Sequence, residues 1–370
     1  MPKAAYIMIG GFLGAGKTTA ILRLARRLVD SGRRVGLITN DQSFGLVDTA
    51  MAAAQGFPVE EITGGCFCCK FNSLMEASAK LTREAKPDVF LAEPVGSCTD
   101  LKAAVSYPLR RLYGDNFRIA PLSVLVDPIR AERILGLEPG KAFSRKVLYV
   151  YDKQLEEAEM IVINKKDLLA LERLERLEQA LRAAYPRAEV YAVSAREGSG
   201  LEAWFEAMLA AELGSTPAPA VDYDLYAEGE ALLGWLNCTL RVSAAQAFDG
   251  NALLADMALR MQASLGEVEI AHLKMTLVPE EEGGDIGVLN LVRTDGVPEM
   301  AHRLREPLES GELIINLRAE GEPDLLRAAA LEAARAAAES TDGGSIRVAV
   351  EHLEHFRPAR PSPTYRMATV

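Results

Sequence analysis

No stretch of this sequence approaches the roughly 18 uninterrupted apolar residues that a membrane-spanning helix requires. No membrane partner is therefore expected. Basic residues are also in deficit: 41 Lys and Arg stand against 52 Asp and Glu, giving a formal net charge of -11 and a pI near 5.1. Binding to a phosphate backbone needs clustered cations, so nucleic acid and anionic membranes held by bulk electrostatics are excluded. Cysteine is scarce too. Three of the five cysteines crowd into residues 66–69, unlike the spaced framework of a small secreted scaffold, and this points to the reducing cytoplasm. Residues 1–13 carry a lysine and an apolar run that faintly imitate a signal peptide. They pass straight into a glycine-rich loop with no cleavage-type site, and read as a first strand.

What is present is globular. Hydrophobic residues make up 49% and charged residues 25% of the 370, enough for a core and for solubility. The length suggests roughly two domains of about 150 residues each. Residues 1–213 alternate short apolar runs (4–9, 35–39, 89–92, 122–126, 160–163 and 189–193) with amphipathic stretches (18–29, 73–86 and 168–184). That alternation predicts an α/β domain with a doubly wound, mainly parallel sheet. A linker rich in small residues and proline follows at 214–228, beginning GSTPAPA. Residues 229–370 then read as a smaller α+β domain, with strands at 234–242, 270–278, 286–292, 313–318 and 346–353 and helices at 251–265 and 325–339. The EEEGG run at 280–284 reads as a solvated hairpin loop.

The strongest motif is GFLGAGKT at 11–18, a full G-x-x-x-x-G-K-[ST] between an expected strand and an expected helix, as a P-loop requires. Gly11, Gly14, Ala15 and Gly16 let successive backbone N–H groups converge on phosphate oxygens at a helix N-terminus. Lys17 would reach the β and γ phosphates, Thr18 would ligate Mg2+, and Thr19 is placed to touch the α phosphate. EPVG at 93–96 follows a strand, so Glu93 is positioned to hold the magnesium or its water and Gly96 to offer its N–H to the γ phosphate. Asp41, in TNDQS at 39–43, falls at the same end of the sheet, where doubly wound folds bind ligands. Lys17, Asp41 and Glu93 are the candidate catalytic residues.

A later pair of motifs selects the base. NKKD at 164–167 and SA at 194–195 each follow a strand. The Asp167 carboxylate can accept hydrogen bonds from guanine N1–H and its exocyclic amine, and adenine would strand it unpaired, which is the strong kind of discrimination. Asn164 would brace the loop, the stem of Lys165 would cover the base plane, and the Ala195 N–H, beside Ser194, would meet the carbonyl. The expected ligand is GTP with Mg2+. The second informative feature is GGCFCC at 64–69, just before a helix expected near residue 72. Thiols near a helix N-terminus have lowered pKa values and ligate borderline metals, Zn2+ by default or Co2+. Cys66, Cys68 and Cys69 supply three ligands, the last brought round by a turn at Gly64 and Gly65. The fourth is open between water, Cys98, another protein and a nucleotide-sensitive acid.

The order and spacing of GFLGAGKT, GGCFCC, EPVG and NKKD resemble the CobW-type GTPases, SIMIBI-class P-loop relatives of HypB and UreG, over residues 4–212. The resemblance implies slow GTP hydrolysis gating a metallochaperone or cofactor-insertion factor. It also implies Cys66, Cys68 and Cys69 as metal ligands, Asp41 in the first switch, and a client metalloenzyme or cobalamin-dependent enzyme. Many members carry a histidine-rich stretch, whereas this chain has only four histidines, which argues against bulk metal storage. His352 and His355 would share a face only if residues 351–355 were helical, and read as surface side chains. No arginine finger is identifiable, so a nucleotide-dependent homodimer or the client would supply that charge. Two other readings remain distinct: an assembly GTPase for a cobalamin-dependent enzyme with structural cysteines, and a non-catalytic GTP-binding metal sensor or scaffold.

Overall fold

A computed structural model describes residues 3–40, 52, 55–280 and 285–369. Asp41 and residues 281–284 of the EEEGG run lie outside the described residues. The chain divides into two compact units, and among the described residues the first comprises 3–40, 52, 55–229 and 360–369 and the second 230–359.

The first unit is built on an eight-stranded sheet. Strands β1 (Ala4–Gly11), β2 (Val35–Asn40), β3 (Val59–Ile62), β4 (Val89–Glu93), β6 (Ser123–Val126), β7 (Met160–Ile163) and β8 (Glu189–Ala192) run in the order β3-β2-β4-β1-β6-β7-β8, and β5 (Phe117–Ile119) pairs with the start of β1. Every pairing is parallel. The central strands are continuous apolar runs because crossover helices bury both faces: all five residues of β4 and all of β1 after Ala4 are buried. Register is set at the centre by Ala5 against Val89 and Gly11 against Leu125.

Parallel pairing points the strands the same way, so the carboxyl ends of β1, β2, β4, β6, β7 and β8 share one rim. That rim carries Asn40 and the loops after Gly11, Glu93, Val126, Ile163 and Ala192. Helix α1 (Lys17–Asp30) starts directly from the first loop, with Leu22, Leu24, Ala25 and Leu28 on its buried face, and α2 (Phe71–Glu84) follows the cysteine run. Further helices follow later in the chain, among them α3 (Pro128–Ile134), α4 (Arg145–Glu157) and α5 (Leu171–Ala184).

The second unit is a six-stranded antiparallel sheet. Its strands β9 (Leu233–Phe248), β10 (Glu269–Pro279), β11 (Gly287–Leu291), β12 (Glu299–His302), β13 (Leu308–Glu320) and β14 (Arg347–Phe356) take the order β12-β11-β10-β13-β9-β14. Helices α6 (Gly250–Leu265) and α7 (Pro323–Ser340) supply Leu253, Met257, Ala330 and Ala334 to a core shared with Leu236, Leu273 and Ile315. His352 and His355 lie on β14, where positions three apart point to opposite faces, and each faces a carboxylate: Glu354 at 3.5 Å and Asp324 at 2.9 Å.

Residues 360–369 return to the first unit. They run beside the cysteine loop, with Thr364 N–H bonded to the Cys68 carbonyl (2.8 Å) and Met367 N–H to the Ala103 carbonyl (2.9 Å).

Candidate nucleotide and metal site

The loop after β1 is shaped by its glycines. Gly16 takes φ 88° at the N-cap of α1, and a Cβ there would stand 2.4 Å from Asn164 Nδ2, so neither the backbone conformation nor the space admits a side chain. Lys17 and Thr18 are buried at the first turn of α1, while Thr19 is exposed. Thr18 Oγ1 donates to Glu93 Oε1 at 3.0 Å, joining the hydroxyl at the start of α1 to the acid at the end of β4. Gly96 lies against the same loop: a Cβ on it would come within 2.8 Å of Leu13 Cδ2 and 3.1 Å of Leu13 N.

The base-side residues assemble from β7 and β8. Asn164 Nδ2 donates to the Ala15 carbonyl at 2.8 Å, and Asn164 Oδ1 accepts from Ala195 N at 3.0 Å. Asn164 thus bridges the two loops, and the Ala195 N–H is engaged by it. Lys165, at φ 56°, sends Nζ to the Gly14 carbonyl (2.7 Å) and to Asp127 Oδ2 (2.9 Å), which lays its stem beside the loop. Asp167 stands exposed on a 3-10 turn at Lys166–Leu168, and Ser194 is fully buried with its hydroxyl accepting from Glu197 N.

Two residues that the sequence reading passed over complete this half. Asp127 caps α3 by accepting from Arg130 N at 3.1 Å and also holds Lys165. Arg130 donates to the Leu13 carbonyl at 2.9 Å and stacks over Phe12 and Phe143. The only sequence signal was an Asp-Pro pair after a strand, which reads as a helix start and nothing more.

The cysteine run forms a tight turn in which the Cys69 and Lys70 N–H groups both donate to the Cys66 carbonyl, at 3.0 and 2.9 Å. This turn, rather than one at Gly64 and Gly65, brings Cys69 back. The Sγ–Sγ separations are 2.7 Å for Cys66–Cys68, 3.4 Å for Cys66–Cys69 and 3.7 Å for Cys68–Cys69. Zinc–sulfur bonds of about 2.3 Å at tetrahedral angles need sulfur separations near 3.8 Å, so the Cys68–Cys69 edge already fits, the Cys66–Cys69 edge would open by about 0.4 Å and the Cys66–Cys68 edge by about 1 Å. Among the described residues this is the one such cluster of potential metal-binding groups. Hydrogen bonds with Cys68, then Cys69 and Cys98, hold the Cys66 thiol well below its ordinary pKa. The hydrogen bond shared with Cys66 holds Cys68 well above its ordinary value and pushes Cys69 up to about 11. Proximity to a helix start therefore does not lower all three thiols alike, and an arriving cation would displace the protons that remain.

The loop is tied to its surroundings on two sides. Asn40, the residue before Asp41, donates from Nδ2 to the carbonyls of Ile62 (3.0 Å) and Gly65 (2.8 Å). The C-terminal tail covers the other side: Ser362 N donates to Cys69 Sγ at 3.2 Å, Thr364 Oγ1 to the Cys69 carbonyl at 3.0 Å, and Tyr365 packs edge-on to Phe71.

Residues 5–192 match the family model described as CobW/HypB/UreG, nucleotide-binding domain. The chain belongs to this family. Among curated relatives, the CobW/HypB/UreG chain is 39% identical over 90 residues to "Zinc chaperone YeiR" of Escherichia coli (strain K12), covering 24% of this chain and 27% of that one. It is 28% identical over 183 residues to "Zinc chaperone CobW" of Sinorhizobium sp, covering 44% and 51%. These matches thus span about half the relatives' length or less. Among solved structures, HypB from Helicobacter pylori in complex with nickel aligns over 56% of this chain and 86% of its own, at 19% identity and a TM-score of 0.41. No helix among the described residues is long and apolar enough to cross a membrane.

Proposed function

We propose that this chain is a GTP-hydrolysing zinc chaperone in which the nucleotide controls a transition-metal site at Cys66, Cys68 and Cys69. The residues fit GTP and Mg2+: Gly16 and Gly96 keep the cradle free of side chains, Thr18 and Glu93 would hold Mg2+, and exposed Asp167 is available to the guanine edge. Magnesium supplies charge neutralisation on the β and γ phosphates. Lys17 adds a second positive charge, and Asp41 or Glu93 would orient the attacking water. With no arginine among the described residues assigned to the γ phosphate, turnover is slow until a client or a second copy supplies one. The buried thiol cluster suits the reducing cytoplasm.

The observation that carries the nucleotide control is Asn40. Its backbone leads into Asp41, and its side chain grips the carbonyls on either side of the approach to Cys66. A shift of the Asp41 segment with the γ phosphate would pull on the metal loop directly.

The test is a chelator-competition titration of Zn2+ and Co2+ into the reduced protein with GTP-Mg2+, GDP-Mg2+ or neither, run beside multiple-turnover phosphate release. Metal affinity is expected to differ at least about tenfold between nucleotide states, about 1.4 kcal/mol of coupling, and to collapse in Cys66→Ser. Equal affinity in all three states, or no metal binding, overturns the reading. Phosphate release absent at every nucleotide concentration would leave a GTP-binding metal sensor in its place.

A further inference from the structure

Three thiolates leave one position of a tetrahedral ion unfilled, and the surroundings decide what fills it. Cys66 and Cys68 are 5% and 1% exposed, and Ser362 and Thr364 lie over Cys69, so the inner side of the cluster faces protein rather than bulk water. Cys98 reaches it from there. It is a reduced cysteine with 0% exposure, and its thiol interacts with those of both Cys66 and Cys68, from a loop 30 residues further along the chain. Four soft thiolates around one ion make a closed, all-sulfur tetrahedral shell for Zn2+ or Co2+.

We propose that Cys98 is the fourth metal ligand, and that through it the γ-phosphate side of the nucleotide site opens and closes the metal shell. This rests on the reading above of the P-loop and of Cys66, Cys68 and Cys69. The segment from Glu93 to Cys98 is short and held as one arc. Glu93 accepts from Thr18 at its start, and Gly96 abuts Leu13 of the P-loop in its middle. Cys98 N–H donates to the Val95 carbonyl at 3.0 Å, and Gln154 Nε2 donates to the carbonyls of Gly96 (3.0 Å) and Cys98 (2.8 Å). An arc braced at both ends transmits a displacement rather than absorbing it. Contact of a γ phosphate with Gly96 therefore moves the Cys98 thiol toward or away from the other three. With the shell closed the ion is retained; with Cys98 withdrawn, a three-thiolate site has a vacant position through which a client thiolate or imidazole can take the metal.

The experiment loads Co2+ onto the full-length reduced protein and reads the sulfur-to-cobalt charge-transfer absorption, whose intensity scales with the number of thiolates, together with the visible bands that report tetrahedral geometry. Wild type, Cys98→Ser and Cys66→Ser are compared with a non-hydrolysable GTP analogue and with GDP. Cys98→Ser is expected to lose about a quarter of the charge-transfer intensity and to bind Co2+ at least about tenfold more weakly, since even outer-shell changes cost that much. The affinity difference between nucleotide states should shrink in the same variant. Intensity and affinity equal to wild type in Cys98→Ser, with Cys66→Ser impaired, would make Cys98 a packing residue and leave the three-cysteine chaperone reading standing. No cobalt bound by wild type would remove both readings. Zinc-edge X-ray absorption of the wild-type protein gives a check that needs no variant: four sulfurs support the proposal, and three sulfurs with one lighter atom overturn it.

Discussion

Asp167 separates recognition from stability, because its carboxylate is exposed on a short turn while Asn164 beside it is buried and bonded to two loops. Asp167→Asn should therefore leave thermal unfolding unchanged and weaken GTP binding by at least about a hundredfold, the cost of unpairing a charge-assisted recognition contact. Xanthosine triphosphate carries a carbonyl where guanine carries its amine, so the new amide should regain part of that loss on the xanthine nucleotide. Equilibrium binding of fluorescent nucleotides checks both; unchanged GTP affinity would remove Asp167 from the base site. At this scale the sequence was most informative where contacting residues are neighbours in the chain. GFLGAGKT and NKKD encode their own loops, so the spacing alone marks Lys17, Thr18, Asn164 and Asp167 as candidates. Asp127 and Arg130 were opaque because their partners, Lys165 and Leu13, are distant in sequence and no local pattern marks the pairing.

The strands expected on apolar runs form, with β9 running six residues further and β13 starting five residues earlier than expected, whereas β3, β5 and β12 were not foreseen. β3 reads Val-Glu-Glu-Ile and is only half-buried at the sheet edge, and β5 has three residues; neither is long or apolar enough to stand out. The return of residues 360–369 was equally hidden, since a proline-rich stretch has no periodicity and its anchors, backbone hydrogen bonds and one ion pair, join residues far apart in the sequence. Arg366 donates to Asp100 at 2.8 Å, and Asp100, 1% exposed, also accepts from Tyr223 at 2.6 Å. Arg366→Ala should destabilise the first unit by about 1–3 kcal/mol, because a buried carboxylate loses a charged donor. It should also loosen the tail over the thiols, so zinc transfer to a chelator is expected to speed up several-fold. Stopped-flow zinc release and urea unfolding read the two effects; a transfer rate equal to wild type would mean that the tail covers Cys69 without restraining the metal.

At the scale of the whole molecule, pH acts through a buried acid that no motif announced. Glu157, the last residue of α4, is 2% exposed and accepts from Lys102 N at 2.8 Å and Thr99 Oγ1 at 3.2 Å. Burial outweighs these donors and pushes its pKa up to about 8 from an ordinary 4.5, with the nearby Asp100 charge adding to the shift. Between those two values the folded chain keeps a proton that the unfolded chain has released. Stability must then fall as pH rises through this window, by up to about 1.4 kcal/mol per pH unit from this group, and level off above pH 8. The net charge of -11 adds its own self-repulsion, which a one-charge change barely alters. Comparison of wild type with Glu157→Gln therefore isolates the acid. The variant should lose most of the slope between pH 5 and 8 and be the more stable protein at pH 8, as read by hydrogen-exchange protection across α4. Parallel pH profiles for the two would place the Glu157 proton elsewhere, and the residues after Cys98 would then be held by an ionised carboxylate at neutral pH.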